Sequence, residues 1–164
     1  MTACLSPFAP SVRSMNKSTF EEELSLHGRI IYPNVGDSMM PLIKQGRDLL
    51  VIEKAELPLK KGDIPLYKRD SGKYVLHRII GLRRGKYRIC GDNRISVERG
   101  IEDRHILGVL VAIVRDGKEI PIREAEGGFY RFYMCDLFFL KFVKFKFFAL
   151  GRRIKGIFKK SNRH

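Results

Sequence analysis

Cysteine is scarce in this chain: three residues, Cys4, Cys90 and Cys135, among 164. They are odd in number and widely spaced, with no CxxC pair, which argues against both a disulfide framework and a zinc site and leaves reduced thiols of no special role. A long apolar run is missing as well. The best stretch, Phe132 to Leu150, is interrupted by Asp136, Lys141, Lys144 and Lys146, whereas a membrane-spanning helix needs about 20 largely uncharged apolar residues. The first thirty residues have no basic start followed by an apolar run, and Glu21, Glu22 and Glu23 stand where one would lie, so no secretory leader is expected. Acid is also in short supply, 18 Asp/Glu against 32 Lys/Arg for a net charge of +14. From Phe129 to His164 a single acid, Asp136, faces ten Lys/Arg, so this stretch holds nine of the net positive charges and the first 128 residues hold five. A basic tail on a milder body points to an anionic partner.

What is present suits one globular domain. The length allows one core, and a hydrophobic fraction of 44% is that of a folded protein. Residues 1–27 read as a flexible lead-in closed by a short surface helix, because Ser18-Thr19-Phe20-Glu21 has capping-box spacing and the helical pattern ends near His27. From Gly28 to Arg123 the pattern changes to short apolar runs: Arg29–Val35, Asp48–Glu53, Asp63–Lys68, Tyr74–Ile80, Tyr87–Cys90 and Gly108–Val114. Turn signals such as Lys61-Gly62-Asp63, Arg84-Gly85, Gly91-Asp92-Asn93 and Asp116-Gly117 fall between them. Strands of that length and spacing predict a compact, mainly β domain with hairpins over residues 28–123. Pro65 assigns its run to an edge strand or a bulge. No βαβ alternation, internal repeat or low-complexity tract is present. Residues 124–164 form the basic aromatic tail.

Three segments carry candidate chemistry: Gly36-Asp37-Ser38-Met39-Met40-Pro41, Val75-Leu76-His77-Arg78-Ile79-Ile80, and Gly91-Asp92-Asn93. Singly, each has a bland explanation as a turn or a core strand. Their order is more informative. Ser38-Met39-Met40-Pro41 after a strand, followed by Gly46-Arg47-Asp48, resembles the nucleophile box of the signal peptidase I and LexA-like peptidases. Lys61-Gly62-Asp63-Ile64 matches the next box, His77-Arg78 the box of the general base, and Gly91-Asp92-Asn93 the last. The resemblance covers about Gly28 to Val114. Bacterial signal peptidases and LexA-like proteins carry Lys-Arg at the base, whereas the endoplasmic-reticulum and sporulation-type enzymes carry His-Arg, as here. The resemblance therefore implies a signal-peptidase-like catalytic β domain and a serine peptidase.

The chemistry agrees with that implication. A serine hydroxyl needs a neighbouring base to take its proton during attack. Histidine, with an ordinary pKa near 6.5, serves near neutrality without the desolvation a lysine requires, and it gains from a carboxylate that orients its ring. Ser38 is thus the expected nucleophile, His77 the base and Asp92 the third member, with Asp103 as its rival. On a strand Tyr74–Ile80, Val75, His77 and Ile79 share a face. The resemblance places a hydroxyl residue two positions before the serine in bacterial enzymes. Gly36 stands there, so oxyanion stabilisation falls to backbone N–H groups, that of Ser38 included. Asp37 is expected to shape the turn and Met39 to line the site or the core, while His27, His105 and His164 have surface or structural roles.

The expected activity is cleavage of a peptide or precursor protein through an acyl-enzyme, with no cofactor or metal. The expected location is the cytoplasm or the cytoplasmic membrane face, with residues 129–160 docking on anionic lipid by aromatic insertion and cationic contact. Nucleic acid is the weaker partner, since no binding motif is present. Two other classes remain open: a LexA-like self-cleaving or regulatory domain, against which the absence of a helix-turn-helix and His77 in place of lysine argue, and a non-catalytic basic binding protein on the same scaffold.

Overall fold

The structure is a computed structural model that describes residues 19–141 and 143; the lead-in before Thr19 and the tail beyond Val143 lie outside the described residues. It opens with helix α1 (Phe20–His27). The capping box sits one residue later than its predicted place. Thr19 accepts from the Glu22 amide at 3.3 Å and Glu22 Oε2 accepts from the Thr19 amide at 2.9 Å, while Glu21 turns away to accept from Lys68 and Tyr74.

The chain is mainly β. The strands are β1 (Arg29–Pro33), β2 (Asp48–Lys54), β3 (Pro65–Lys68), β4 (Tyr74–Leu76), β5 (Arg78–Arg83), β6 (Lys86–Cys90), β7 (Glu98–Ile101), β8 (Ile106–Arg115) and β9 (Lys118–Pro121), followed by helix α2 (Ile122–Cys135). The larger, antiparallel sheet runs β1-β2-β8-β3-β4, with β9 also paired to β8, and the smaller one runs β5-β6-β7. Pro65 opens β3, an interior strand between β8 and β4. Of the two expectations for Pro65, an edge strand or a bulge, the edge is corrected, since a first residue needs no donor toward β4, whose pairing starts at Leu66, while the β3–β8 register shifts next to it, between Leu66 and Tyr67. The hairpin turns at Arg84-Gly85 and Asp116-Gly117 have positive φ at both residues, the geometry that matches strand twist in two-residue hairpins.

The larger sheet is strongly curled. Flat, its edge strands β1 and β4 would stand about 19 Å apart at ordinary strand spacing. Yet the Phe20 ring lies edge-on to Tyr32 of β1 and Tyr74 of β4, with centroids 4.9 Å away in both cases. Inside the curl one apolar cluster gathers Ile30, Leu50, Ile52, Leu66, Leu110 and Ile113 with Leu24 of α1 and Met39, Leu42 and Ile43 of the loop after β1. A second cluster joins the two sheets through Tyr67 and Ile106 on one side and Ile79, Tyr87, Ile89 and Ile101 on the other.

Tyr74–Ile80, expected as one strand, is broken at His77. β4 belongs to the larger sheet and β5 to the smaller, so His77 is the crossing residue.

Helix α2 and the turn after it are partly built into the body. Glu126, Met134, Cys135 and Lys141 are buried, whereas Phe129, Phe132, Phe139, Leu140 and Val143 are exposed. A boundary at residue 124 therefore separates residues that pack together: Arg131 donates to the Lys61 carbonyl at 2.7 Å, Lys61 pairs with Asp136 at 2.6 Å, and Lys141 Nζ donates to the Gly91 carbonyl at 2.9 Å. No helix among the described residues is long and apolar enough to cross a membrane.

Candidate active site

The loop between β1 and β2 presents Ser38 and is tied down at its base. Asp48 is buried and accepts from Arg47, Arg115 and the Lys44 amide, hydrogen bonds that outweigh the desolvation opposing them and hold its carboxyl well below the usual carboxylate range. Arg115 also reaches the Leu42 carbonyl at 3.0 Å. Gly36 turns the chain at φ +98°, a value that side-chain-bearing residues rarely adopt, and its amide donates to Gln45 Oε1 at 3.2 Å. Met39, Leu42 and Ile43 then bury themselves in the core. Between exposed Asp37 and buried Met39, Ser38 is left half-exposed.

Gly91-Asp92-Asn93 clamps this loop from the other side. The Asn93 amide donates to the Ser38 carbonyl at 2.8 Å and Asn93 Nδ2 to the Asp37 carbonyl at 3.2 Å, while Arg94 pairs with the Asp37 carboxylate, holding its pKa below the usual range. Gly91 explains why no larger residue stands there. A Cβ on it would meet the Ser38 carbonyl oxygen at 2.7 Å and His77 Cδ2 at 3.1 Å. The Ser38 backbone and the imidazole are thus no farther apart than those two distances together. Cδ2 is the ring atom that meets this position.

The other ring nitrogen faces a carboxylate. His77 Nδ1 lies 3.3 Å from Glu98 Oε1 and 3.5 Å from Tyr67 Oη. Glu98 is fixed in turn, accepting from Tyr67 Oη at 2.8 Å and from the Arg69 guanidinium at 2.8 and 2.5 Å. Burial lowers the His77 pKa below 6.5, and Glu98 works against that shift, so the ring is a neutral base at neutral pH. No hydrogen bond joins the Ser38 hydroxyl to the ring among the described residues.

Asp92 does not take the expected third place. Both of its oxygens are engaged by the Arg78 fork at 2.9 Å, and Tyr130 Oη adds a further hydrogen bond at 3.0 Å. Arg78 also donates to Glu126 Oε2 at 2.5 Å and to the Gly62 carbonyl at 3.1 Å. It is fully buried, and its partners hold its charge more firmly than usual. An aspartate committed to a buried arginine holds the Gly91–Asn93 turn in place and has no free oxygen for His77. Asp103 is equally remote in role, since it accepts from Tyr87 Oη at 2.5 Å within a short 3-10 turn, Asp103–His105. His105, buried between Glu102 and Asp70, is structural.

Glu98 carries no strand signal in the sequence because β7, which it opens, holds a single large aliphatic residue, Ile101. The signal available was Arg69-to-Glu98 charge balance across the sheets, which depends on a fold not written locally in either segment.

A cleft of about 350 Å³ ends at Ser38. Phe20, Tyr32, Val35, Leu50, Leu66 and Leu76 line it. Its long walls include the edge strands β1 and β4, each paired on one side only among the described residues. No protein-family model matches this chain, and no curated protein or solved structure matches it either.

Proposed function

We propose that this chain is a serine peptidase of the signal-peptidase type that cleaves a peptide or precursor protein, with Ser38 as nucleophile, His77 as base and Glu98 as the carboxylate that orients it. The observation that carries the reading is the convergence on Gly91: the Ser38 carbonyl and the Cδ2 edge of His77 both crowd the place of its missing side chain, while Nδ1 is turned to a fixed carboxylate.

The roles follow from the chemistry. With Nδ1 protonated and donating to Glu98, Nε2 is left as the acceptor. It takes the Ser38 proton as Oγ adds to the scissile carbonyl carbon. Backbone N–H groups, that of Ser38 included, serve the oxyanion. His77 then returns the proton to the leaving amine, and water reverses the sequence to release the acyl group. Glu98 stabilises the imidazolium at each transfer. A rotation of the Ser38 side chain on substrate binding completes the contact, since catalytic hydrogen bonds commonly tighten only in the substrate complex.

The substrate fits as an extended segment. Edge strands β1 and β4 offer unpaired backbone groups on both sides of the apolar cleft, an arrangement suited to strand addition with side chains pocketed at alternate positions. Labelling with a fluorophosphonate probe tests the reading without a known substrate. The wild-type chain should be labelled at Ser38, Ser38→Ala should be silent, and His77→Ala should label at least 100-fold more slowly. Equal labelling of His77→Ala and wild type would overturn the mechanism.

A further inference from the structure

The smaller sheet turns one face to the core and the other away from it. Tyr87 and Ile89 of β6 point inward, so Lys86 and Arg88 point outward. Register then sets cation against cation. Arg83 of β5 lies directly opposite Lys86, and Arg88 lies directly opposite Arg99 of β7. Like charges facing each other across strands oppose pairing. Two such pairs within one three-stranded sheet need a counter-charge.

The protein itself supplies little of it. Lys86 pairs with Glu102 at 2.6 Å, a carboxylate shared with Arg104 at 3.1 Å and pushed down to about 2 by these two cations. The guanidinium groups of Arg83, Arg84, Arg88 and Arg99 have no hydrogen bond or ion pair with any of the described residues. Their environment is concave. A groove of about 480 Å³ is lined by Arg83, Arg84, Lys86, Tyr87, Arg88, Arg99 and Gly100. Gly81, opposite Arg88, has open space where a side chain would stand. The two cation pairs are centred on residues two apart along β6, about 7 Å at strand rise.

We propose that this groove is a phosphate-binding site, separate from the Ser38 cleft, that takes an anion carrying at least two phosphate groups. Guanidinium forks bind phosphate oxygens in parallel pairs of hydrogen bonds. Three unpartnered forks in the two cation pairs, with Arg84 in the turn beside them, provide for more than one phosphate, whereas a single carboxylate would occupy one fork. Nothing in the groove reads a base. Its single aromatic, Tyr87, is buried and offers no stacking surface, so single-stranded nucleic acid is not its ligand. The phosphates come from acidic lipid headgroups or from a soluble polyphosphate. Strand β7 joins the two sites, with Glu98 facing His77 and the next residue, Arg99, lining the groove.

The test compares full-length wild type with Arg88→Gln/Arg99→Gln. Without ligand, the double variant should melt roughly 2–4 °C higher, because a repelling pair is removed. Tripolyphosphate should raise the Tm of wild type alone, and its Kd by calorimetry should weaken at least 10-fold in the variant. In co-sedimentation, weaker binding of the variant to phosphatidylglycerol vesicles assigns the lipid source. Unchanged vesicle binding with lost tripolyphosphate binding assigns the soluble one. Equal tripolyphosphate affinity in the two proteins overturns the proposal, whatever their melting points. Tight binding of a single-stranded oligonucleotide, lost in the variant, would also overturn it, by making the groove a nucleic-acid surface.

Discussion

Two carboxylate-to-amide substitutions separate the roles of Glu98 and Asp92. In Glu98→Gln the His77 ring loses its anionic partner. At 3.3 Å and an effective dielectric of 20, a carboxylate stabilises an imidazolium by about 5 kcal/mol. The Arg69 fork on the same carboxylate offsets part of that. A loss of about 4 kcal/mol, roughly 10³-fold in rate, is therefore expected. The sign of the pH effect is fixed too. Glu98 raises the His77 pKa against the burial that lowers it, so its removal should move the acid limb of the rate profile to lower pH while the plateau falls. Asp92→Asn leaves those contacts alone and instead removes one of the two charges that compensate a fully buried guanidinium. Breaking such a pair costs about 3–5 kcal/mol of stability, a drop in Tm on the order of 10 °C in a chain of this size. Its acid limb should stay in place. The assay is fluorophosphonate labelling rate from pH 4.5 to 9, with thermal melts on the same samples. A shifted acid limb in Asp92→Asn and an unshifted one in Glu98→Gln would refute the assignment of Glu98.

Gly91→Ala drives a methyl group toward a backbone oxygen at 2.7 Å, so the Ser38 loop must retreat from His77. Labelling should slow by about 100-fold, the scale of an ångström-sized misplacement, and a wild-type rate would mean the loop and ring are not coupled through this contact. The basic tail is tested by ending the chain at Val143, which keeps the buried Met134, Cys135 and Lys141 and removes eight Lys/Arg. At about 1 kcal/mol for each cation near an anionic surface, the shortened chain should bind phosphatidylglycerol vesicles at least 10-fold more weakly, and equal pelleting of both chains would dismiss the tail as a membrane anchor.

The strands that could be located in the sequence were those whose apolar residues run together. β2 and β8 bury consecutive or alternating aliphatic residues and β6 buries Tyr87, Ile89 and Cys90, and their predicted positions agree with the structure to within a few residues. β7 and β9 escaped because Glu98-Arg99-Gly100-Ile101 and Lys118-Glu119-Ile120-Pro121 each hold one large aliphatic residue. Both are strands because a neighbour has backbone groups to pair, a tertiary cause with no local trace. The break at His77 was equally hidden. A run of six residues from Val75 to Ile80 has the composition of one strand, and only the divergence of two sheets divides it.

The site was legible in proportion to how far its residues act through the backbone. Ser38 and Gly91 could be placed because a turn and a close approach demand particular residue types, and those types recur in order along the chain. The carboxylate could not. Any Asp or Glu near the ring satisfies His77, and Asp92 is expected there only through the resemblance of Gly91-Asp92-Asn93 to the last family box. What excludes it is Arg78, the neighbour of the base. A guanidinium with no exposed surface must be surrounded by anions, and Asp92 and Glu126 are both bound to it. With Asp92 committed there, the partner of His77 comes from β7 instead, where the half-buried Glu98 serves His77, Tyr67 and Arg69 together. His77 and Arg78, adjacent in sequence, thus face opposite carboxylates. In the proposed mechanism the first pair works on the proton; the second holds helix α2, through Glu126 and Tyr130, against the turn that clamps Ser38.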